Sequence, residues 1–341
     1  MSTALGAALV AITWLLAGIV VISIGLLPAA ITNTGTANRS AVVRSAIWWG
    51  LAITAILVLA FNVAVPVRSP AMAIVLLAAA VISAAAGVLV IRRRQQERNR
   101  ENGSMPSTAP SQRLNVALAA VLLLAQMYWA WTALGPVTNY DSGLYHLGAI
   151  GYAVEFPAIP GIANLYPALG YASAQFPLAG TFSLLGWGVE GFRLFNGFVL
   201  GLAALDLLLR LRQRTITPGT YSLAVMLTLA WVALIALADY WVTSPSQDTT
   251  AWVLTAVAIA YLVDAVHLRS QRSCAATVAT TIARAVSVSV PASVSTATLP
   301  FAGRRASPMI AVTLFFFSRC PTPELSCLAI PRERLTTASR S

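Results

Sequence analysis

The chain contains no lysine, and only 11 of its 341 residues are acidic and two are histidine. With 58% of residues hydrophobic and 10% charged, it lacks the polar surface that a soluble domain of this length would need. The net charge of +11 rests on arginine alone. A basic balance ordinarily raises nucleic acid as a partner. Here the arginines gather at the ends of apolar segments, which is the mark of membrane topology, and no nucleic-acid partner is expected. Cysteine is scarce and late: Cys274, Cys320 and Cys327 form no CxxC pair and have no paired histidines, which excludes a zinc finger and a disulfide framework. No Arg or Lys precedes the apolar run that begins near Ala4, and the run is too long for a signal-peptide core, so it reads as a membrane span.

A spanning helix takes about 20 apolar residues. Seven segments meet or approach this: 4–31, 46–66, 70–91, 114–134, 191–209, 221–242 and 249–266. The expected fold is therefore all-α, a polytopic transmembrane bundle of about seven spans. Arg92, Arg93, Arg94, Arg98, Arg100 and Arg113 crowd the third link, Arg210, Arg212 and Arg214 follow the fifth span, and Arg269 and Arg272 follow the seventh. Arg39 and Arg44 fall in the first link, so one alternation puts all four Arg-bearing links in the cytoplasm. Only Arg68 and Arg193 come near the outer face. The N-terminus and the loops 135–190 and 243–248 are then external, in a bacterial plasma membrane.

Residues 95–113 mix charge with Ser, Pro and Gly and read as a flexible cytoplasmic linker. It divides an N-terminal three-span unit, 1–94, from a membrane unit, 114–269. After about residue 270 the composition turns to Ser, Thr, Ala, Arg and Pro. The segment 270–341 is expected to be either a disordered tail or the product of a shifted reading frame, and the abrupt break after a complete helix favours the latter.

The segment Asn139–Phe176 has no Arg or Lys, yet holds two acids, one of the two histidines and five of the nine tyrosines. Leu144, Leu147, Ile150 or Gly151, and Val154 recur at helical spacing, which predicts an amphipathic surface helix from about Ser142 to Phe156 with Asp141 at its N-cap. Capping alone would explain that acid, and spacing favours it. The other reading makes Asp141 a base facing the space above the lipid headgroups. The two roles are compatible, because a helix N-terminus keeps a carboxylate ionised. His146 follows five residues on, able to bond a substrate or simply interfacial, and Glu155 is a surface charge or a ligand. Tyr140, Tyr145, Tyr152, Tyr166 and Tyr171 fit an aromatic belt better than a sugar-stacking platform. Pro160-Gly161 predicts a type II turn with positive φ at the glycine. Phe176 to Trp187 is apolar but short, as in a re-entrant or surface helix. In the second outer loop, Asp248 again precedes a helix, beside Ser246 and Thr249. Asp206 and Arg210 form an i, i+4 pair that needs no functional account. Asp239 lies near the outer surface, and Arg193 with Asn196 offers a partner for a lipid phosphate.

The string YDSGLYHLGAI, then P-x-x-P-G-x-x-N-L from Pro157, then SPSQD in the later loop, resembles a group of bacterial multi-spanning proteins of envelope-polysaccharide gene clusters. That group looks related to the lipid-phosphate-sugar-dependent glycosyltransferases of the GT-C fold, the class of the dolichyl-phosphate-mannose protein mannosyltransferases. The resemblance covers roughly 128–266. It implies a GT-C-like fold in which Asp141 is the catalytic base and Asp248 the second-loop acid. Tyr140, His146 and Asn164 belong to the shared pattern and are candidate substrate-binding residues with Arg193. It also implies a polyprenyl-phosphate-sugar donor and an envelope glycan or protein acceptor; no cofactor is assigned, and a divalent ion is an alternative to Arg193 at the leaving phosphate. Members of that group continue through several further spans, so a chain ending in an aberrant tail implies a truncated, inactive copy. The rival expectation is a non-enzymatic component of polysaccharide export or assembly. A transporter would place ionisable groups at the bilayer midplane, whereas these acids sit near helix ends.

Overall fold

A computed structural model describes residues 3–33, 39–102, 112–170, 173–213 and 216–268. The expectations for 270–341, for the three cysteines, and for Tyr171, Arg214, Arg269 and Arg272 lie outside these residues. Among the described residues there is no β-strand. The long helices are α1 (Thr3–Thr32), α2 (Arg39–Asn62), α3 (Pro70–Asn102) and α4 (Gln112–Thr132). After a long loop come α7 (Phe195–Leu211), α8 (Pro218–Ala236) and α10 (Gln247–Leu268). Within that loop lie a π-helical turn (Ser142–His146), α5 (Leu147–Glu155) and α6 (Gln175–Gly180), and a short α9 (Ala238–Trp241) separates α8 from α10.

Among the described residues, six segments are long and apolar enough to cross a membrane: Thr3–Thr32, Ser40–Asn62, Pro70–Glu97, Gly188–Leu211, Pro218–Ala236 and Gln247–His267. The chain is thus a multi-pass membrane protein by the length and composition of its helices. Three boundaries differ from expectation. The third helix continues to Asn102, well into the expected linker, because the Arg- and Gln-rich run after Ile91 is a good helix former. The fifth span opens with a 3₁₀ segment, Gly188–Leu194, before α7. The sixth stops at Ala236, where Leu237 leaves helical geometry (φ −125°, ψ 41°) and α9 restarts the chain.

The three N-terminal helices do not stand apart from the rest. Helix α1 packs on α2, α3 and α4, and α2 also packs on α7. All described residues fall in the single compact unit Met1–Ala297. Small residues make the α1–α2 contact close: a Cβ on Gly25 would lie 1.9 Å from the Ala46 carbonyl oxygen, and one on Gly50 would lie 1.8 Å from that of Val21. Such backbone proximity suits helices in lipid, where burial of apolar surface gives little drive for association and van der Waals packing must supply it. Trp14 crosses from α1 to the second half of the chain, its indole N–H donating to the Leu194 carbonyl at 2.8 Å.

Contacts sort the connections onto two ends of the bundle. The α2–α3 link meets the end of α5: the N–H groups of Val67 and Arg68 donate to the carbonyls of Ala153 and Val154 (2.9 and 3.3 Å), and Arg68 pairs with Glu155 at 2.6 Å. Asn62 Nδ2 lies 3.1–3.3 Å from the carbonyls of Val65, Ala153 and Phe156. The α8–α10 connection meets the start of the same long loop, where Thr138 N–H donates to the Asp239 carbonyl at 3.4 Å and Thr243 Oγ1 to that of Pro136 at 3.0 Å. At the other end, Arg94 donates to the Ala30 carbonyl and Arg210 pairs with Asp264. One end therefore carries the long loop and the other the arginines.

Candidate functional site at the loop end

The long loop enters its helix two residues earlier than the sequence suggests. Asp141 already has helical geometry (φ −64°, ψ −23°), and its side chain makes no capping bond. Asn139 takes that part: its Oδ1 accepts the Asp141 N–H at 2.9 Å. The capping reading of Asp141 is thus corrected. Asn and Asp are nearly equivalent caps, and the chain offers both within three residues, so spacing could not choose between them. The consequence is chemical. Asp141 is exposed, and among the described residues its carboxylate accepts no hydrogen bond.

The first turn is π-helical, with Leu147 N–H donating to the carbonyl of Ser142, five residues back. Such turns are rare and concentrate at functional sites. The wider turn sets the buried face as Ser142, His146, Ile150, Ala153 and Val154. Leu144 and Leu147, expected on that face, point outward with 44% and 36% of their surface exposed. Phe156 is extended and lies beyond the helix, which ends at Glu155.

His146 is 3% exposed, beneath Tyr145 (ring centroids 4.3 Å apart, edge-on) and beside Phe176 (5.3 Å). Its Nδ1 lies 3.4 Å from Ser142 Oγ. Burial lowers the imidazole pKa, and the negative charges of Asp141 and then Asp248 oppose that shift. Both acids thus act on one ring from two different loops.

The second loop is joined to the first by a 2.7 Å bond between the hydroxyls of Ser142 and Ser244. Ser244 Oγ also accepts the Ser246 N–H at 3.1 Å. Ser246 in turn caps α10, accepting the Asp248 N–H at 3.3 Å while donating to the Asp248 carboxylate at 2.9 Å. Asp248 is exposed, with its second oxygen accepting no bond from the described residues.

Below these loops lies a buried amide knot that the sequence did not reveal. Gln175 Nε2 lies within 2.9–3.2 Å of the carbonyls of Pro245 and Ser246 and of Asn196 Oδ1. Asn196 Nδ2 lies within 2.7–3.1 Å of the carbonyls of Trp241, Ser244 and Ser246, and Thr250 Oγ1 donates to Asn196 Oδ1 at 3.0 Å. Each amide satisfies backbone that would otherwise be buried unpaired, so the turn carrying Asp248 is fixed from beneath. A polar pair at 175 and 196 inside apolar sequence was its one visible signal.

The remaining candidates take separate places. Arg193 donates from Nε to Glu190 and from Nη1 to the Gly135 carbonyl, each at 2.6 Å. It lines a cleft of about 230 Å³ with Ala133, Leu134, Trp187, Glu190 and Leu194. Trp187 is held there by its N–H bond to Thr13 Oγ1 at 2.8 Å. Gly135 and Pro136 join this cleft to Thr243, so Arg193 borders the two loops without touching either aspartate. Tyr140 is 75% exposed beside Asp141, whereas Asn164 is exposed on the separate 3₁₀ turn Ile162–Asn164. That turn follows Gly161, whose φ of +78° and the 3.3 Å bond from Ile162 N–H to the Ile159 carbonyl make the expected type II turn. The short apolar segment after it folds as α6 and a 3₁₀ turn, Thr181–Leu185, burying Phe176, Leu178, Ala179 and Phe182. Glu155 is occupied by Arg68. Asp239 meets the loop through its backbone carbonyl. Among the described residues, no three of His, Cys, Asp and Glu are grouped to hold a metal ion.

A family model described as "Domain of unknown function (DUF8201)" matches residues 8–304. No curated protein and no solved structure matches the chain.

Proposed function

The chain belongs to the DUF8201 family, and since that membership carries no activity, we propose one from the site: an integral membrane glycosyltransferase. It would move a sugar from a polyprenyl-phosphate carrier to an envelope glycan or protein at the outer face of a bacterial plasma membrane. The observation that carries this reading is the pair of exposed aspartates, Asp141 and Asp248, on two loops tied together by Ser142 and Ser244. Among the described residues, neither structural capping nor an ion pair accounts for Asp141.

In the proposed reaction Asp141 accepts the proton of an acceptor hydroxyl as that oxygen attacks the anomeric carbon. The C–O bond to the carrier phosphate breaks in line, the bonding pair leaves with the phosphate, and the anomeric configuration inverts. Asp248, oriented by Ser246, holds the acceptor hydroxyl toward Asp141. The apolar cleft beside Arg193 suits the first isoprene units of the carrier, with the guanidinium near the leaving phosphate. Arg193 is partly engaged by Glu190, but an exposed pair of this kind is weak and exchanges readily. Tyr140 is positioned to cover the sugar. His146 is too buried to touch substrate, so its part is to hold the first turn against Phe176 and to feel both carboxylates. Helix α4 would be a seventh span, which makes the N-terminus external and the Arg-rich end cytoplasmic.

The export-or-assembly alternative predicts polysaccharide movement without donor consumption. Proteoliposomes containing the full chain and a radiolabelled polyprenyl-phosphate-sugar distinguish the two. Donor turnover that disappears in Asp141→Asn supports the enzyme, and intact donor with wild-type protein under all conditions rejects it.

A further inference from the structure

At the end of the bundle opposite the loops, Arg210 is fully buried between two acids. Its Nε donates to Asp206 at 3.0 Å and its Nη1 to Asp264 at 2.5 Å. Those carboxylates are otherwise committed, since Asp206 also accepts the Trp48 indole N–H at 2.8 Å and Asp264 accepts the Gly219 N–H at 2.9 Å. Among the described residues, the buried donors Arg210 Nη2, Arg44 Nε and Gln213 Nε2 find no acceptor of good geometry, and the Tyr261 hydroxyl, which faces the Arg210 guanidinium, makes no well-formed bond either.

Helix geometry groups these atoms. Arg44 lies one turn before Trp48 on α2, and Arg210 one turn after Asp206 on α7. Because the Trp48–Asp206 bond pins the two helices together, both arginines emerge on the same side of it, toward the same bundle end. Gln213 follows Arg210 by three residues, and the Arg210 guanidinium lies 4.4 Å from the centre of the Tyr261 ring on α10. Arg44 has neither an ion pair nor a hydrogen bond among the described residues, so the group is short of negative charge as well as of acceptors. A buried donor left unpaired is costly, and several in one place call for an acceptor with several oxygens.

We propose that Arg44, Arg210, Gln213 and Tyr261 form a binding site for a phosphate-bearing anion between α2, α7 and α10. The setting at a helix end in a membrane protein suits the phosphate of an anionic lipid headgroup, and free phosphate has the same chemistry. The site is independent of the loop-end aspartates and of the glycosyl-transfer reading.

The test is native mass spectrometry of the full-length detergent-solubilised protein titrated with phosphatidylglycerol, with phosphatidylcholine of the same acyl chains, and with inorganic phosphate. Arg44→Gln and Tyr261→Phe retain the fold-bearing Asp206–Arg210–Asp264 pairs, and Arg92→Gln controls for loss of an exposed arginine at the same end. Preferential retention of phosphatidylglycerol, weakened about tenfold by Arg44→Gln, less by Tyr261→Phe and not by Arg92→Gln, supports a lipid headgroup site. Arg44-dependent binding of inorganic phosphate without lipid preference supports the same site with a soluble source. Equal retention of both lipids, or binding unaltered in folded Arg44→Gln, overturns it.

Discussion

Asp141 and His146 show how two side chains five residues apart come to opposite situations. Asp141 sits on the outward side of the first turn, and His146 is turned under it by the π-helical geometry. Because burial holds the His146 pKa below its ordinary 6.5, the neutral ring is the native form at pH 7. The unfolded chain binds the proton more readily, so this contribution to stability is complete above pH 6.5 and is lost as pH falls from there toward the native value. Thermal melts of the solubilised protein should show Tm declining below pH 6.5, with the slope reduced in His146→Gln. Replacing Asp141 by Asn removes a charge that favours the imidazolium. The decline of Tm below pH 6.5 should then deepen and extend to lower pH, while Tm at pH 7.5 stays close to wild type, since no hydrogen bond is lost. A large fall in Tm at pH 7.5 would restore the capping role to Asp141. The identity of the acid was legible in the sequence, but its freedom was not, because Asn139 and Asp141 compete for the same cap by the same chemistry.

At the scale of elements, the turn between α9 and α10 depends on Asn196, which is fully buried and faces three carbonyls. Asn196→Ala should strand those groups and cost on the order of 2 kcal/mol or more, read as a lower Tm and faster hydrogen exchange across 243–248. Unchanged exchange there would mean that the loop is held by other contacts. The α1–α2 crossing gives a second check. Gly50→Val places methyl groups where the Val21 carbonyl stands, so the helices must separate; overpacking of this kind costs about 1–3 kcal/mol or more. Gly50→Ser should be milder but still destabilising, and wild-type stability in both would contradict the close approach. The all-helical, multi-span character and the Pro160-Gly161 turn could be read from sequence, because length, apolarity and positive φ are local properties. The buried face was read correctly at Ile150 and Val154 but not in the first turn. At a membrane surface an outward leucine costs little, so Leu144 and Leu147 mimic a core stripe while Ser142 and His146 occupy the buried side of the first turn.

For the whole molecule, arginine distribution was the most informative signal in the sequence. It placed the loops 135–190 and 243–248, with Arg68, on one side; there the Val67 and Arg68 N–H groups bond the carbonyls of the long loop, and the Thr243 and Ser244 hydroxyls bond its Pro136 carbonyl and Ser142 hydroxyl. Arginines themselves mark the opposite end, where Arg94 and Arg210 are held by carbonyl and carboxylate oxygens. No local pattern carries the packing of the parts on either side of the linker: α1 meets α4 and α2 meets α7, far along the chain. The side facing the cytoplasm can be assigned with single cysteines in a cysteine-free background. A cysteine at Tyr166 should react with a membrane-impermeant maleimide in intact cells, and one at Arg92 only after permeabilisation; the reverse pattern would invert the proposed orientation and put the aspartates inside.

Most direct is the fate of the donor in proteoliposomes of the full-length protein supplied with a panel of radiolabelled polyprenyl-phosphate-hexoses and pentoses. With water as the default acceptor, wild-type protein should release free sugar from at least one donor. Asp141→Asn should slow that release by about 100-fold, in line with loss of a general base, while its melting temperature at pH 7.5 is retained. Release at the wild-type rate by folded Asp141→Asn, or no release from any donor by wild type, would contradict the assignment of the paired loops as a glycosyl-transfer site.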